Sequence, residues 1–475
     1  MRIPRRGRSK EEILAALREV KGRDLDWRSG RVWAYVYNAG DEVQEVVNEA
    51  YLMYLGENAL DPTVFPSLLR LETEVVRMLA DLLRGDERVV GNVTTGGTES
   101  ILLAVKAARD KARAERPEIT APEMVLPMTA HGAFHKAAHY FGVKPVVVPF
   151  DPHTFQADVE AMREAITENT VLLVASAPCY SQGVVDPIRE IGAVAQEEGL
   201  PFHVDACVGG IHLSFMRKMG YPVRDFDFAV PGVTSISVDM HKYGYAAKGC
   251  SAILYRDRSL RRYQIYACAG TTAYALVNPT VLSTRSGAPL AAAWAILNYL
   301  GEEGYERIVR VVQEATQRLI DGINRIDGLR VLGEPDMCLF SFTADTVNVF
   351  QLADEMRRRG WYLQPQFSTP LSPRNLHISV NYGTVPAVDG LLEDLREAVE
   401  VVKGFPHLDT ESIRAVASTL AEEATPEMFA RLAEMAGIRG SDLPEDMALV
   451  HEVIDALPPE VVDRLLVEYF NDLYV

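Results

Sequence analysis

A lysine preceded by a histidine follows the apolar run Ser235-Ile236-Ser237-Val238 and leads into a glycine-containing turn, Asp239-Met240-His241-Lys242-Tyr243-Gly244. An amine in a dry pocket at a strand end has a depressed pKa, which makes it a nucleophile toward an aldehyde. Taken alone, the pair suits a lysine snorkelling to solvent equally well. Upstream, Phe202-His203-Val204-Asp205-Ala206 puts a carboxylate at the end of another apolar run, where an unpaired charge is costly. A protonated ring nitrogen would pair it, and so would a helix cap or a structural salt bridge. Thr94-Thr95-Gly96-Gly97-Thr98-Glu99-Ser100 opens an amphipathic stretch over residues 101–113. Its glycines let the backbone approach an anion, and its hydroxyls and helix amides favour a phosphate. The spacing is neither a Walker loop nor a dinucleotide fingerprint, and a simple capped helix is the other reading. His131 follows the apolar run 124–127, where an imidazole can stack on a flat ring. With His135 and His139 it forms a stripe that also suits a metal pair, but no carboxylate or cysteine stands at a matching position. His135 and His139 read as surface residues.

An amine, a ring-nitrogen partner, a phosphate loop and a stacking imidazole together are the requirements of pyridoxal 5'-phosphate, with Lys242 as its Schiff-base lysine. Further stretches carry a resemblance: 9–14 with Asp26-Trp27 and Gly30, Phe65-Pro66 with Glu72 and Glu74, 95–101, 131–141, 203–210, 231–249 and 291–305. In this order the chain resembles the fold-type I pyridoxal-phosphate enzymes of the group II decarboxylase superfamily, and among them it is most similar to the sphingosine-1-phosphate lyases. The resemblance implies that Lys242 carries the cofactor, that Asp205 contacts its ring nitrogen and that His131 stacks on it. It implies that Gly96, Gly97, Thr98 and His241 surround the phosphate. It also implies a homodimer with active sites at the interface, to which the Arg285 region of the second copy contributes.

On the substrate side, Tyr37 and Lys248 match a tyrosine and a lysine by which the lyases hold a substrate phosphate. Asp61, in Asn58-Ala59-Leu60-Asp61-Pro62, stands where the lyases carry histidine. A carboxylate at contact distance repels a phosphate strongly at low effective dielectric, or pairs with Lys248 and takes it out of service. Leu282-Ser283-Thr284-Arg285-Ser286-Gly287-Ala288 is more like microbial amino-acid decarboxylases, and Cys268-Ala269-Gly270-Thr271-Thr272 replaces a tryptophan- and glycine-rich loop. The expectation is therefore α-decarboxylation of an amino acid without a phosphate. Retro-aldol cleavage of a phosphorylated long-chain amino alcohol is the alternative, and a non-catalytic dimeric cofactor-binding scaffold is the third reading. Lys242, Tyr243 and Tyr245 are candidates to return a proton, with Tyr245 the better packing residue.

These groups need a large scaffold, and 475 residues suffice for two or three domains at about 150 residues each. Hydrophobic residues at 48% and charged residues at 24% exclude disorder and low complexity. The net charge of −18 opposes general binding to nucleic acid or anionic membrane. Five cysteines without a close pair point to a reducing compartment, and the absence of a long apolar run or a signal-like start makes the cytoplasm the expected location. Ser9 and Glu12 fit a capping box before a first helix. Residues 40–83 read as two helices around a proline-bearing loop. Short apolar runs at 124–127, 145–149, 171–176, 202–204, 235–238 and 252–255 alternate with helical stretches, the pattern of a mainly parallel sheet covered on both faces. Residues 279–301 and 305–325 read as helices. The predicted fold is α/β, with a helical arm over 1–60, a large cofactor domain of the seven-stranded type over 61–300, a small α+β domain over 301–403 and a helical extension over 404–475.

Overall fold

The computed structural model describes residues 2–270, 275–406 and 446–473. Thr271, Thr272 and most of the expected C-terminal extension lie outside the described residues. Seven strands form the large sheet: β1 Val90–Thr94, β2 Glu123–Pro127, β3 Lys144–Val148, β4 Thr170–Ser176, β5 Phe202–Asp205, β6 Ser235–Val238 and β7 Ser251–Tyr255. Their order across the sheet is β1-β7-β6-β5-β4-β2-β3. All neighbouring pairs are parallel except those made by β7, which runs antiparallel to β6 and β1. Every residue of β2, β4, β5, β6 and β7 is buried, as expected of strands covered on both faces.

The first helix, Lys10–Lys21, begins as expected, with Ser9 and Glu12 forming a reciprocal capping box. Helices Asp41–Met53 and Pro66–Leu82 flank the proline-bearing loop. The second buries Leu68, Leu71, Val75 and Leu79 against the large core, each contributing about 1.5–3 kcal/mol relative to exposure. One expectation needs correction. The helix expected from residue 279 starts only at Gly287, because Leu276–Asn278 pairs with Tyr266–Cys268 as a hairpin and Ser286 caps the helix. From there it runs to Asn324, broken at Gly301, whose φ of 56° interrupts the helical backbone between the two expected segments.

The smaller sheet has four antiparallel strands, in the order Leu329–Val331, Leu339–Ala344, Asn375–Ser379 and Gln364–Gln366. The last of these was not anticipated. Helices Val349–Arg358 and Val388–Lys403 belong to the same region, and helices Ala448–Ala456 and Pro459–Leu473 follow. Ala448–Ala456 docks on the small domain, where Glu452 accepts from Asn348 and pairs with Arg374.

Candidate active site

The sheet delivers four groups to one place. Thr94 ends β1, His131 follows β2, Asp205 ends β5 and Lys242 follows β6, all at carboxyl ends of strands, where open α/β sheets bind ligands. His131, Asp205 and Lys242 line a cavity of about 360 Å³ together with Tyr180, Cys207, Asp239, His241 and the residues 95–98 that follow Thr94.

Asp205 is held from below. Its Oδ1 accepts from Cys207 N at 3.0 Å and Ser237 Oγ at 3.2 Å. Ser237 spends its one proton there, so it accepts from His203 Nε2 at 3.2 Å, and Ser235 Oγ meets His203 Nδ1 at 2.8 Å. Burial pushes His203 down to about 4, which keeps this relay neutral beneath the carboxylate.

The loop before helix Gly97–Glu115 is equally braced. Thr94 Oγ1, Ser100 Oγ and Ser251 Oγ form a buried chain with spacings of 2.7 and 2.8 Å. Glu99 accepts from Thr95 N, Thr95 Oγ1 and Val281 N, each at 2.7 Å, tying the loop to the segment after the hairpin. Its place inside the glycine loop was a signal that sequence reasoning passed over. His131 is exposed in the cavity wall, and its Nδ1 accepts from Ala133 N at 3.1 Å, which leaves its proton on Nε2. His135 and His139 are exposed, away from the cavity lining.

Lys242 departs from expectation. A dry pocket alone would lower its pKa. Burial does act in that direction, but the carboxylate of Asp239, with Cys207, Tyr37 and Asp205, reverses it and holds the amine above the ordinary lysine value. Asp239 Oδ2 lies 2.9 Å from Lys242 Nζ and 3.6 Å from His241 Nε2. Asp239, which the sequence reading did not single out, is itself 2% exposed, and its Oδ1 has no hydrogen-bond partner.

Tyr37 and Lys248 adjoin the cavity. Lys248 Nζ sits 4.8 Å over the Tyr37 ring and donates to the carbonyls of Tyr35 at 3.2 Å and His241 at 3.3 Å. No carboxylate of the described residues pairs with it. Burial of its ammonium and the charge of Lys242 push its pKa down to about 8, although the residue as a whole is exposed. Asp61 is exposed and turns its carboxylate onto Thr63, accepting from N at 2.8 Å and Oγ1 at 2.7 Å, so the suggested Asp61–Lys248 pairing does not form. The two unusual segments touch one another: Ala59 N donates to Arg285 O at 2.8 Å, and Asn58 Oδ1 accepts from Arg285 N at 3.2 Å. The Arg285 guanidinium is committed within its own chain, to Glu72 at 3.1 Å and to Val93 O at 2.7 Å. Tyr243 donates to Val380 O at 2.9 Å, and Tyr245 is buried outside the cavity lining, so both pack the core.

Residues 4–345 match the family model described as the pyridoxal-dependent decarboxylase conserved domain. The chain belongs to this family. Residues 410–472 match a second model, a putative C-terminal helix-turn-helix domain of pyridoxal-dependent enzymes. The chain is 43% identical over 403 residues to a sphingosine-1-phosphate lyase of Arabidopsis thaliana, covering 83% of this chain and 73% of that protein. It is 34% identical over 361 residues to a protein of Pyrococcus furiosus named as a probable L-aspartate decarboxylase, covering 76% of this chain and 94% of that one. Among solved structures it is similar to the sphingosine-1-phosphate lyase of Burkholderia pseudomallei, with a TM-score of 0.81 and 38% identity over 90% of this chain and 97% of that chain. A glutamate decarboxylase of Lactobacillus brevis shares the fold, with a TM-score of 0.76 at 19% identity over 86% of this chain and 96% of that chain.

Family membership makes the chain a pyridoxal-phosphate-dependent lyase, which sets aside the non-catalytic scaffold. The site fits that cofactor on its own evidence. A Cβ at Gly97 would stand 2.7 and 2.8 Å from the Asp239 oxygens and 2.9 Å from Cys207 Sγ, so only a glycine leaves the loop open there. The partnerless Asp239 Oδ1 and the single engaged oxygen of Asp205 leave polar capacity aimed at a ligand.

Proposed function

We propose that the chain is an aldehyde-lyase, cleaving the bond between the amine-bearing carbon and the neighbouring carbinol carbon of a phosphorylated amino alcohol of the sphingosine 1-phosphate kind. This reverses the order of the two readings taken from sequence, where decarboxylation stood first. Lys248 carries the proposal: it is a cation beside the reactive lysine with carbonyls and an aromatic face around it and no carboxylate upon it. Such a group receives an anion. The objection from Asp61 weakens because that carboxylate is engaged by Thr63. The lyases among the relatives, at up to 43% identity, point the same way. Decarboxylation of an amino acid remains the second reading, favoured by the identity of residue 61 and by the Pyrococcus furiosus relative.

When bound, the cofactor ring withdraws electrons from the bond that breaks at the amine-bearing carbon. In this proposal Asp205 would hold a proton on the ring nitrogen, and His131 would cover the ring. Gly96, Gly97, Thr98 and His241 would hold the phosphate. Lys248 and Tyr37 bind the substrate phosphate and so orient the carbon chain. Tyr180, whose hydroxyl donates to Gln364 Oε1 at 2.7 Å, presents a phenol on the cavity wall. Lys242, kept charged by Asp239, supplies the proton that the remaining carbon needs after the aldehyde leaves. The cofactor-loaded protein should release aldehyde from the phosphorylated amino alcohol and far less from its dephosphorylated form; equal turnover of the two would remove the role of Lys248.

We also propose a homodimer. Helix Lys10–Lys21 buries none of its residues and exposes Ile13, Leu14, Leu17 and Val20, while Leu52, Met53, Val281 and Leu282 are exposed elsewhere. A second copy would cover such a surface. Sedimentation at micromolar concentration tests this. Residues 410–472 carry fourteen carboxylates and four arginines, a balance that opposes DNA phosphates, so nucleic acid is not a proposed partner. Among the described residues no helix is long and apolar enough to cross a membrane. All five cysteines are free, which fits the cytoplasmic location we propose.

A further inference from the structure

A lysine attacks a carbonyl only through a neutral nitrogen, yet the arrangement around Lys242 favours the ammonium. The groups that face it offer few ways out. Tyr37 is a neutral phenol, pushed up to about 12 by burial, and the thiols of Cys207 and Cys250 are pushed up by burial too. Burial also keeps Tyr180 a neutral phenol. Lys248 Nζ is engaged by the carbonyls of Tyr35 and His241 rather than by the Lys242 amine. His241 Nδ1 accepts from Cys250 N at 3.3 Å, which leaves its proton on Nε2, toward Asp239. Asp205 has its Oδ1 engaged by Cys207 N and Ser237 Oγ. Asp239 is the one carboxylate of the described residues in ion-pair contact with Nζ, at 2.9 Å, and it retains an oxygen without a partner. The proximity to Gly97 places it directly under the cofactor loop.

We propose that Asp239 is a catalytic residue for attaching the cofactor to Lys242, acting as proton acceptor and then proton donor. It takes one proton from the ammonium as the Nζ–carbon bond forms at the aldehyde. A second proton passes from nitrogen to the former aldehyde oxygen. Asp239 then returns its proton to that oxygen, the carbon–oxygen bond breaks and water leaves. The third proton stays on the nitrogen of the new carbon–nitrogen double bond, so charge and atoms balance and Asp239 ends as a carboxylate.

The test uses the full chain freed of cofactor, in wild-type form and as Asp239→Asn. Two quantities are read at pH 8: labelling of the Lys242 amine by acetic anhydride, and capture of pyridoxal 5'-phosphate followed by absorbance in stopped flow. Without the carboxylate the amine loses its counter-charge, so labelling should rise at least tenfold. Capture should nevertheless slow about 100-fold, the scale of lost general acid–base catalysis. A residue with a merely structural role would not drive the two in opposite directions. Unchanged labelling, or capture as fast as wild type, overturns the proposal. If the variant does not fold, the wild-type protein decides: its Lys242 should resist labelling at pH 8 relative to exposed lysines, and labelling at their rate overturns the proposal.

Discussion

Lys242 Nζ and Asp239 Oδ2 lie 2.9 Å apart at the carboxyl end of β6, three residues apart in sequence and both within the cavity wall. The ion pair explains why a buried amine stays charged here, against the usual effect of a dry pocket. It also explains why the loop above must be glycine, since any side chain at 97 meets that carboxylate.

Gly97→Ala therefore should weaken cofactor binding. Its Cβ would lie 2.7–2.9 Å from Asp239 and Cys207, and overpacking of this kind costs about 1–3 kcal/mol. An absorbance titration with pyridoxal 5'-phosphate should give a Kd raised about 10- to 100-fold. An unchanged Kd would contradict the placement of the loop.

Asp205→Asn keeps the shape of the side chain and removes its charge. The variant should still take up cofactor, while kcat falls about 100- to 1000-fold, as for loss of an electrostatic contact to developing charge. Near-normal kcat would mean that Asp205 does not face the ring nitrogen.

Lys248→Met should lower kcat/KM for a phosphorylated amino alcohol about 10- to 100-fold, since a hydrogen bond to a charged group contributes about 1.5–3 kcal/mol. Cofactor affinity should not change. With its pKa near 8, Lys248 is a cation below that pH and neutral above it, so the wild-type KM should rise as pH climbs past 8. The methionine variant should lose that limb of the profile.

Acid should destabilise the fold. Burial pushes His203, His212 and His377 down to about 4, against an ordinary value of 6.5. Between those values the unfolded chain binds more protons than the native one. Stability is therefore fully present above pH 6.5 and falls toward pH 4, by at most about 1.4 kcal/mol per pH unit for each histidine. Asp186 runs the other way, since burial raises it to about 6 and its contribution is lost as pH rises through that value. The three histidines outnumber it, so the urea midpoint at pH 5 should lie below that at pH 7.

Much of this scaffold is legible in the residues because β2 and β4–β7 are buried on both faces and so read as short apolar runs. β1 escaped because Gly91 and Asn92 interrupt its apolar character. Both have reasons visible only in three dimensions: a Cβ at Gly91 would stand 2.4 Å from Ile253 O, and Asn92 donates to Glu72 at 3.0 Å. The residues proposed to hold the cofactor stand out in the sequence because each ends a strand or opens a helix. Asp239 was missed because a carboxylate in a turn ordinarily faces water, and the sign of the Lys242 shift depends on a contact that spacing does not reveal. The role of Asp61 was likewise open in sequence, since nothing there says that Thr63 would engage it.

The most direct measurement is the partition of products. The cofactor-loaded chain, given sphingosine 1-phosphate and in parallel aspartate and glutamate, is assayed for long-chain aldehyde, phosphoethanolamine and carbon dioxide. The account predicts equimolar aldehyde and phosphoethanolamine from the first and little carbon dioxide from the others. Carbon dioxide from an amino acid, with no aldehyde from the phosphorylated amino alcohol, would contradict it.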